Sequence, residues 1–319
     1  STTPSFTFKA EIVDTDGDTD SDTHTITVTD GTDPQDAVTQ SITLDEDDLS
    51  DGSSPSPSAL TQIATLSFTA GSDTLDSFVF NGTAGLDTDA NDGNTGVGEI
   101  VWVLNSAATE IKGYVNGDES SGDLAITLTL GGAASIAPTN SGDVTVTAVL
   151  SDEFANTFGD DIPANFNLGS VTVTGSDGDD TVNGIVNVAV IDDVPSVEIS
   201  ADVTSGSASD TTDSVAEDGS DLTGVITLVE GADQNATLNV TLEGTDVLGG
   251  QISFTIDGTY QSQTQTVTTV GNDLLGELTV DLETDGTASW TFNPAPDVDH
   301  SSTTPSFTFK AEIVDTDGD

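Results

Sequence analysis

Residues 1–18, STTPSFTFKAEIVDTDGD, return letter for letter as residues 302–319. Eighteen identical residues at an offset of 301 exceed what drift would leave, so the chain reads as one turn of a tandem repeat. On that reading the first and last stretches are unfinished pieces of neighbouring units. The same segment ends in Asp14, Asp16 and Asp18 around Gly17, so it supplies the period and also a metal-ligand pattern.

A chain of 319 residues is long for a single core, and a period of 301 suits two domains per repeat. The formal net charge is −54, set by 57 acids against Lys9, Lys112 and Lys310. Such a surface offers nothing to a phosphate backbone and is repelled by anionic lipid, which excludes nucleic acid and membrane insertion by this stretch. The expected partners are cations. Self-repulsion at this charge opposes compaction, and either bound divalent ions or a salty medium can offset it. The sequence has no cysteine, and no run of 18 apolar residues that would span a bilayer.

Alternating Val, Ile, Phe and Thr between Gly, Asn and Asp turns predict strands throughout. The expected class is all-β: tandem Ig-like or cadherin-like β-sandwiches in an elongated arrangement, the first and last incomplete at the chain ends. Residues 1–34 are expected to be the terminal strands of a preceding domain, with strands at Phe6–Val13 and His24–Thr29 around an acidic loop, Asp14–Asp22. Residues 35–195 are expected to form a complete, longer sandwich. Residues 196–319 are expected to form a third sandwich lacking its last strand, whose counterpart is His24–Thr29. That gap suggests that truncated copies donate the strand head to tail, through an unpaired edge. The stretch Asp152–Phe166 is the one place where a short helix is plausible, stopped by Pro163.

Calcium takes six to eight oxygens from a flexible loop. Asp14, Asp16, Asp18 and Asp20 alternate along such a loop, and the second copy repeats them as Asp315, Asp317 and Asp319. Asp177 and Asp179 stand 18 and 16 residues before Pro195, the spacing of Asp16 and Asp18 before Pro34. The exit linkers are acidic too, with Asp33 before Pro34 and Asp192 and Asp193 before Pro195. Each downstream domain opens with an acidic pair, Asp45 and Glu46 or Glu217 and Asp218. Several structural Ca2+ ions are therefore expected, bracketed between a loop of one domain and the start of the next, locking the joint. Without them the carboxylates repel and the joint flexes.

Two further patterns carry less. SDGDDTVNG at Ser176–Gly184 resembles one repeat of a calcium β-roll, but it occurs once. Asp87, Asp89 and Asn91 offer either a local calcium loop or an ordinary polar turn, since the glycine falls late, at Gly93. No catalytic constellation is evident, and the chain reads as a non-enzyme. His24, taken as lying on the polar side of its strand, and His300, in a loop, are read as solvated. Trp290 is expected in a core, and Trp102 either there or at a partly exposed contact.

The VAEDG opening at Val215–Gly219, SWTFNP at Ser289–Pro294, AEIVDTDGD at Ala10–Asp18, and the joints TVTDGTDP (Thr27–Pro34) and VAVIDDVP (Val188–Pro195) carry a resemblance. The chain resembles the extender region of giant RTX adhesins. It is strong over residues 196–319 together with 1–34, while over 35–193 mainly the two ends match and the middle is longer. The resemblance implies a type I secreted, extracellular protein on the surface of a Gram-negative bacterium. It implies Ig-like domains stiffened by calcium and contacting adjacent repeats of the same chain, which hold a distal adhesive region away from the cell in biofilm formation. The longer middle domain leaves open a second role, as a glycan- or protein-binding module.

Overall fold

The computed structural model describes residues 3–88, 100–154, 165–200, 212–217, 219–232, 234–245, 247–298 and 304–315. The protein is all-β, with its strands distributed over five sheets. The expected helix at 152–166 falls mostly outside the described residues, as do Asp89, Asn91 and Gly93 of the second loop, and His300.

The chain begins with a hairpin, β1 (Ser5–Val13) and β2 (Thr19–Thr27), paired over nine positions from Ser5↔Thr27 to Val13↔Thr19. β2 starts five residues before the expected strand. Its first half, TDSDT, has no apolar alternation, and the ladder with β1 rather than any hydrophobic face extends it. His24 stands opposite Phe8 with their rings 5.6 Å apart, on the face shared by Ile26. Residues two apart on a strand point the same way, so His24 lies on the apolar side of β2 rather than the polar side.

Residues 40–191 build two sheets packed face to face. One has the order β3 (Gln40–Asp45), β11 (Thr181–Ile191), β10 (Asn165–Ser176), β5 (Val79–Phe80). The other has the order β4 (Thr61–Thr69), β9 (Ser141–Leu150), β8 (Asp123–Gly132), β7 (Glu110–Val115), β6 (Val101–Leu104). Every second residue of β11 is buried from Val182 to Val190, and Val144, Val146, Ala148 and Leu150 of β9 face them across one core. Each such side chain contributes about 1.5–3 kcal/mol by leaving water. Gly184 of β11 is the point of closest approach: a Cβ there would lie 2.9 Å from both Leu66 and Phe68 of the opposite sheet. Trp102 is half-buried against this core, and its indole N–H donates to the Asp87 carbonyl.

Residues 196–314 build a second pair of sheets. One has the order β12 (Ser196–Ile199), β13 (Leu222–Val229), β18 (Ala288–Pro294), β17 (Leu274–Leu282), β16 (Gln261–Thr268). The other has the order β15 (Gly250–Thr255), β14 (Thr237–Glu243), β19 (Thr308–Val314). Aromatic pairs bridge them, Trp290 to Phe309 at 5.2 Å and Phe292 to Phe307 at 5.1 Å between ring centroids. Trp290 is a core residue, as its place in an alternating strand predicts. The buried apolar side chains thus form two clusters, one from 42–190 and one from 226–313, with Ala232 of the later segment packed into the earlier cluster.

Candidate metal centres at turns and joints

The β1–β2 turn holds the first acidic group. Carboxylate oxygens of Asp14, Asp16 and Asp18 lie within 4.8 Å of one another, all exposed. Asp14 Oδ1 accepts the backbone N–H groups of Asp16, Gly17 and Asp18 at 3.2, 3.0 and 2.9 Å. A hydrogen bond with the Asp16 carboxyl and then the Asp18 N–H hold the Asp14 carboxyl below the ordinary aspartate range. Gly17, at φ 99°, takes the left-handed conformation that closes the turn. Asp20 is not part of this group: it stands on β2 opposite Ile12 and accepts the N–H of Ser21. In the second copy, Asp315 is buried at the end of β19, whereas Asp317 and Asp319 lie outside the described residues.

The second group forms at the first joint. Asp30 of the linker meets Asp179 and Asp180 of the β10–β11 turn, again with oxygens within 4.8 Å. The charge of Asp30 pushes the Asp179 carboxyl up, and burial followed by the charge of Asp33 pushes Asp180 up. Asp177 folds the turn by accepting the N–H groups of Asp180 at 2.8 Å and Asp179 at 3.4 Å. The linker itself is latched: Thr32 N–H donates to Ser72 Oγ at 2.6 Å, and Ser72 N–H returns to the Thr32 carbonyl at 2.8 Å.

This placement corrects the expectation that the 177–179 loop serves the linker after it. β11 has eleven residues between that turn and the Asp192–Pro195 linker. At about 3.3 Å per residue it carries the chain roughly 36 Å away. A turn at the start of the last strand must therefore face the preceding joint. Asp30 and Asp180, absent from the sequence-derived set, join the group for the same reason. Both sit beside selected acids, in DGTDP and SDGDD, but only the strand direction shows that they meet.

The third group gathers at the second joint. Parallel pairing of β3 with β11 sets Asp45 opposite Ile191, so the acidic turn after β3 and the linker after β11 emerge side by side. Glu46, Asp192 and Asp193 are 0%, 3% and 5% exposed. Asp193 is held by Ser53, whose N–H and hydroxyl donate to it at 2.7 and 2.6 Å. Glu46 Oε1 accepts the N–H of Phe154 at 2.8 Å. Asp45 caps the short 3-10 turn Glu46–Asp48. Burial raises its carboxyl to about 6 against the Asp47 N–H that lowers it, with the charges of Asp47 and Asp48 adding to the rise. Asp47 is raised as well, by burial, then by Asp48 and Asp193. Across the joint, Gln234 donates to the Asp51 carbonyl at 3.3 Å, and Gly231 lies against the Asp193 carbonyl.

Glu217 is not at a joint. Its Oε2 accepts the N–H of Val298 at 2.6 Å, inside its own domain. Its neighbour Asp218 lies outside the described residues.

The donor sets are all oxygen and mostly carboxylate, which fits a hard divalent cation such as calcium and gives a soft metal no thiolate or imidazole. No family model and no curated protein matches this chain. A solved structure described as a chaperone–tip adhesin complex in CFA/I fimbriae biogenesis aligns over 88% of this chain and 96% of that one. Its identity is 8% and its TM-score 0.24, a superposition too loose to carry an argument about function.

Proposed function

We propose that this chain is a structural spacer of an extracellular bacterial adhesin, whose tandem β-sandwiches are stiffened by calcium at their turns and joints to hold a distal adhesive region away from the cell surface. The observation that carries the reading is the burial of Glu46, Asp192 and Asp193 beside Asp45 and Asp47 at the second joint. Carboxylates leave water at a cost of several kcal/mol each unless counter-charge or hydrogen bonds replace it. The chain can supply little of the former. Its three lysines are engaged on strands elsewhere, with Glu11, Glu110 and Glu312.

A calcium ion at each joint would supply that charge. The Asp30, Asp179 and Asp180 oxygens span a linker and a domain, so an ion held by all three ties them together. The Asp45–Asp193 group does the same between the acidic turn and the next linker. The chain's residues then act as ligands and as positioning groups: Ser53 orients Asp193, and Asp177 shapes the turn that presents Asp179 and Asp180. The resemblance to RTX adhesin extenders and the letter-for-letter repeat support the same reading.

Small-angle scattering and thermal melting with calcium, with magnesium and with a chelator test it. Calcium should raise the melting temperature and lengthen the maximum dimension, and a ligand at about 100 times its Kd adds ~2.7 kcal/mol. A melting curve and a maximum dimension indifferent to calcium would overturn the reading.

A further inference from the structure

Ile12 is 71% exposed on β1, while its letter-for-letter counterpart Ile313 is 7% exposed on β19. The two strands share one sequence but have different neighbours. β1 pairs with β2 alone, and Phe6 and Phe8 stand half in water. β19 pairs with β14, and Phe307, Phe309 and Ala311 pack on the core. Among the described residues β19 has a ladder partner on one side only, at the end of the order β15-β14-β19.

The sandwich of residues 40–191 shows what belongs on the other side. There the penultimate strand, β10, is followed by β11, which pairs with β10 on one edge and in parallel with β3 on the other. The later domain has the counterpart of β3 in residues 213–217. Glu217 marks it, holding the N–H of Val298 before β19 as Glu46 holds that of Phe154 before β10. Residues 212–217 carry no strand. The counterpart of β11 is β2, because β2 already pairs over nine positions with the sequence that β19 repeats.

We propose that β2 of one copy of this chain adds to the β19 edge of a second copy, linking copies head to tail. The register follows from β1–β2: Ile26 opposite Phe307, His24 opposite Phe309, Asp22 opposite Ala311 and Asp20 opposite Ile313. β2 gives up β1 for a strand of the same sequence, so the ladder itself is unchanged by the exchange. The gain is burial of Ile26, 39% exposed, and Val28, 55% exposed, on a core that β1 does not have. A second edge of β2 meanwhile meets residues 213–217. Main-chain pairing supplies affinity, and the alternate apolar side chains fix the register. The contact is heterologous and does not close on itself, so it generates open chains rather than a defined dimer.

The protein has no cysteine, which makes disulfide trapping clean. In the full-length chain, Asp22→Cys combined with Ala311→Cys should give, on oxidation, a ladder of covalent dimers, trimers and higher species. Thr23→Cys with Ala311→Cys is the control, since residue 23 points to the opposite face. A peptide of residues 19–29 added in excess should abolish the ladder and leave monomer bearing one peptide. Sedimentation of the unaltered chain, in salt high enough to screen its charge, should show size rising with concentration. Equal cross-linking in the two cysteine pairs, a ladder indifferent to the peptide, or a monomer at every concentration would each overturn the proposal.

Discussion

Glu46 Oε1 accepts the backbone N–H of Phe154 at 2.8 Å, across 108 residues of sequence, and Glu217 makes the same bond to Val298 at 2.6 Å. In each domain the glutamate follows the opening stretch and ties it to the loop before the penultimate strand. Glu46 is fully buried, so its loss strands an amide in the interior, at a cost of about 1–3 kcal/mol. Glu46→Ala should lower the melting temperature of the metal-free chain by several degrees, and Glu46→Gln, which keeps an acceptor, by less. If Glu46 also ligates calcium, Glu46→Gln should lose much of the calcium-dependent gain while keeping the metal-free melt near normal. Calorimetry of the three chains with and without calcium separates the two roles.

The Asp45 carboxyl, raised to about 6, sets the pH dependence of the second joint. A group whose folded pKa lies above its unfolded value binds its proton more tightly in the folded state. It therefore stabilises most below about pH 4, and that contribution is lost as pH rises through 6. Asp47, Asp179 and Asp180 are raised and act in the same direction. Asp14, Asp118, Asp257 and Asp285 are lowered, so their contribution is kept above the ordinary aspartate pKa and lost only in stronger acid. The metal-free chain should melt at a higher temperature near pH 5 than near pH 7. In calcium the slope should flatten or reverse, because the ion requires the carboxylates deprotonated. Melting curves across that range in chelator and in calcium check both signs.

Period-two alternation made most of the fold legible. Val144–Leu150 and Thr237–Leu242 read as strands because every second residue is buried, and the structure extends each by no more than a few residues. The pattern failed where a strand has no buried face, as in Thr19–Thr23 of β2. The acids after β3 and before Pro195 were readable as a candidate group because parallel pairing keeps both near one joint. The meeting of Asp30 with Asp179 and Asp180 was not readable, since it depends on β11 running away from the turn towards the later linker. The bonds of Glu46 and Glu217 to distant amides leave no local signature, as any interior N–H can serve.

Each joint rests on a glycine. A Cβ on Gly71 would fall 1.9 Å from the Thr32 carbonyl, just before Asp33 and Pro34, and one on Gly231 would fall 2.3 Å from the Asp193 carbonyl, just before Val194 and Pro195. Both contacts are with backbone, which cannot swing aside as a side chain can. Gly231 also sits at φ 79°, where an alanine is strained by itself. Gly71→Ala and Gly231→Ala should each push the linker off its seat at a cost of about 1 kcal/mol or more. Limited proteolysis should then cut near residue 33 in the first variant and near residue 194 in the second, with both cores still folded by circular dichroism. Unchanged cleavage in both variants would show that the joints do not depend on these seats.

Asp179→Asn gives opposite signs in two conditions, which makes it the sharpest test of the first joint. Asp30 is the main cause of the raised Asp179 carboxyl, so the pair repels when both are ionised and no cation is present. Removing one charge should then stabilise the metal-free chain at neutral pH. In calcium the same substitution removes a charged ligand from the Asp30–Asp179–Asp180 group, so the ion should bind more weakly and the calcium-dependent gain should shrink. Asp20→Asn, on the β2 ladder outside either group, should change neither quantity. Calcium titration followed by calorimetry, read beside melting curves in chelator, measures both arms. A destabilised metal-free chain, or a calcium affinity equal to that of the unaltered protein, would mean that these three carboxylates do not share an ion.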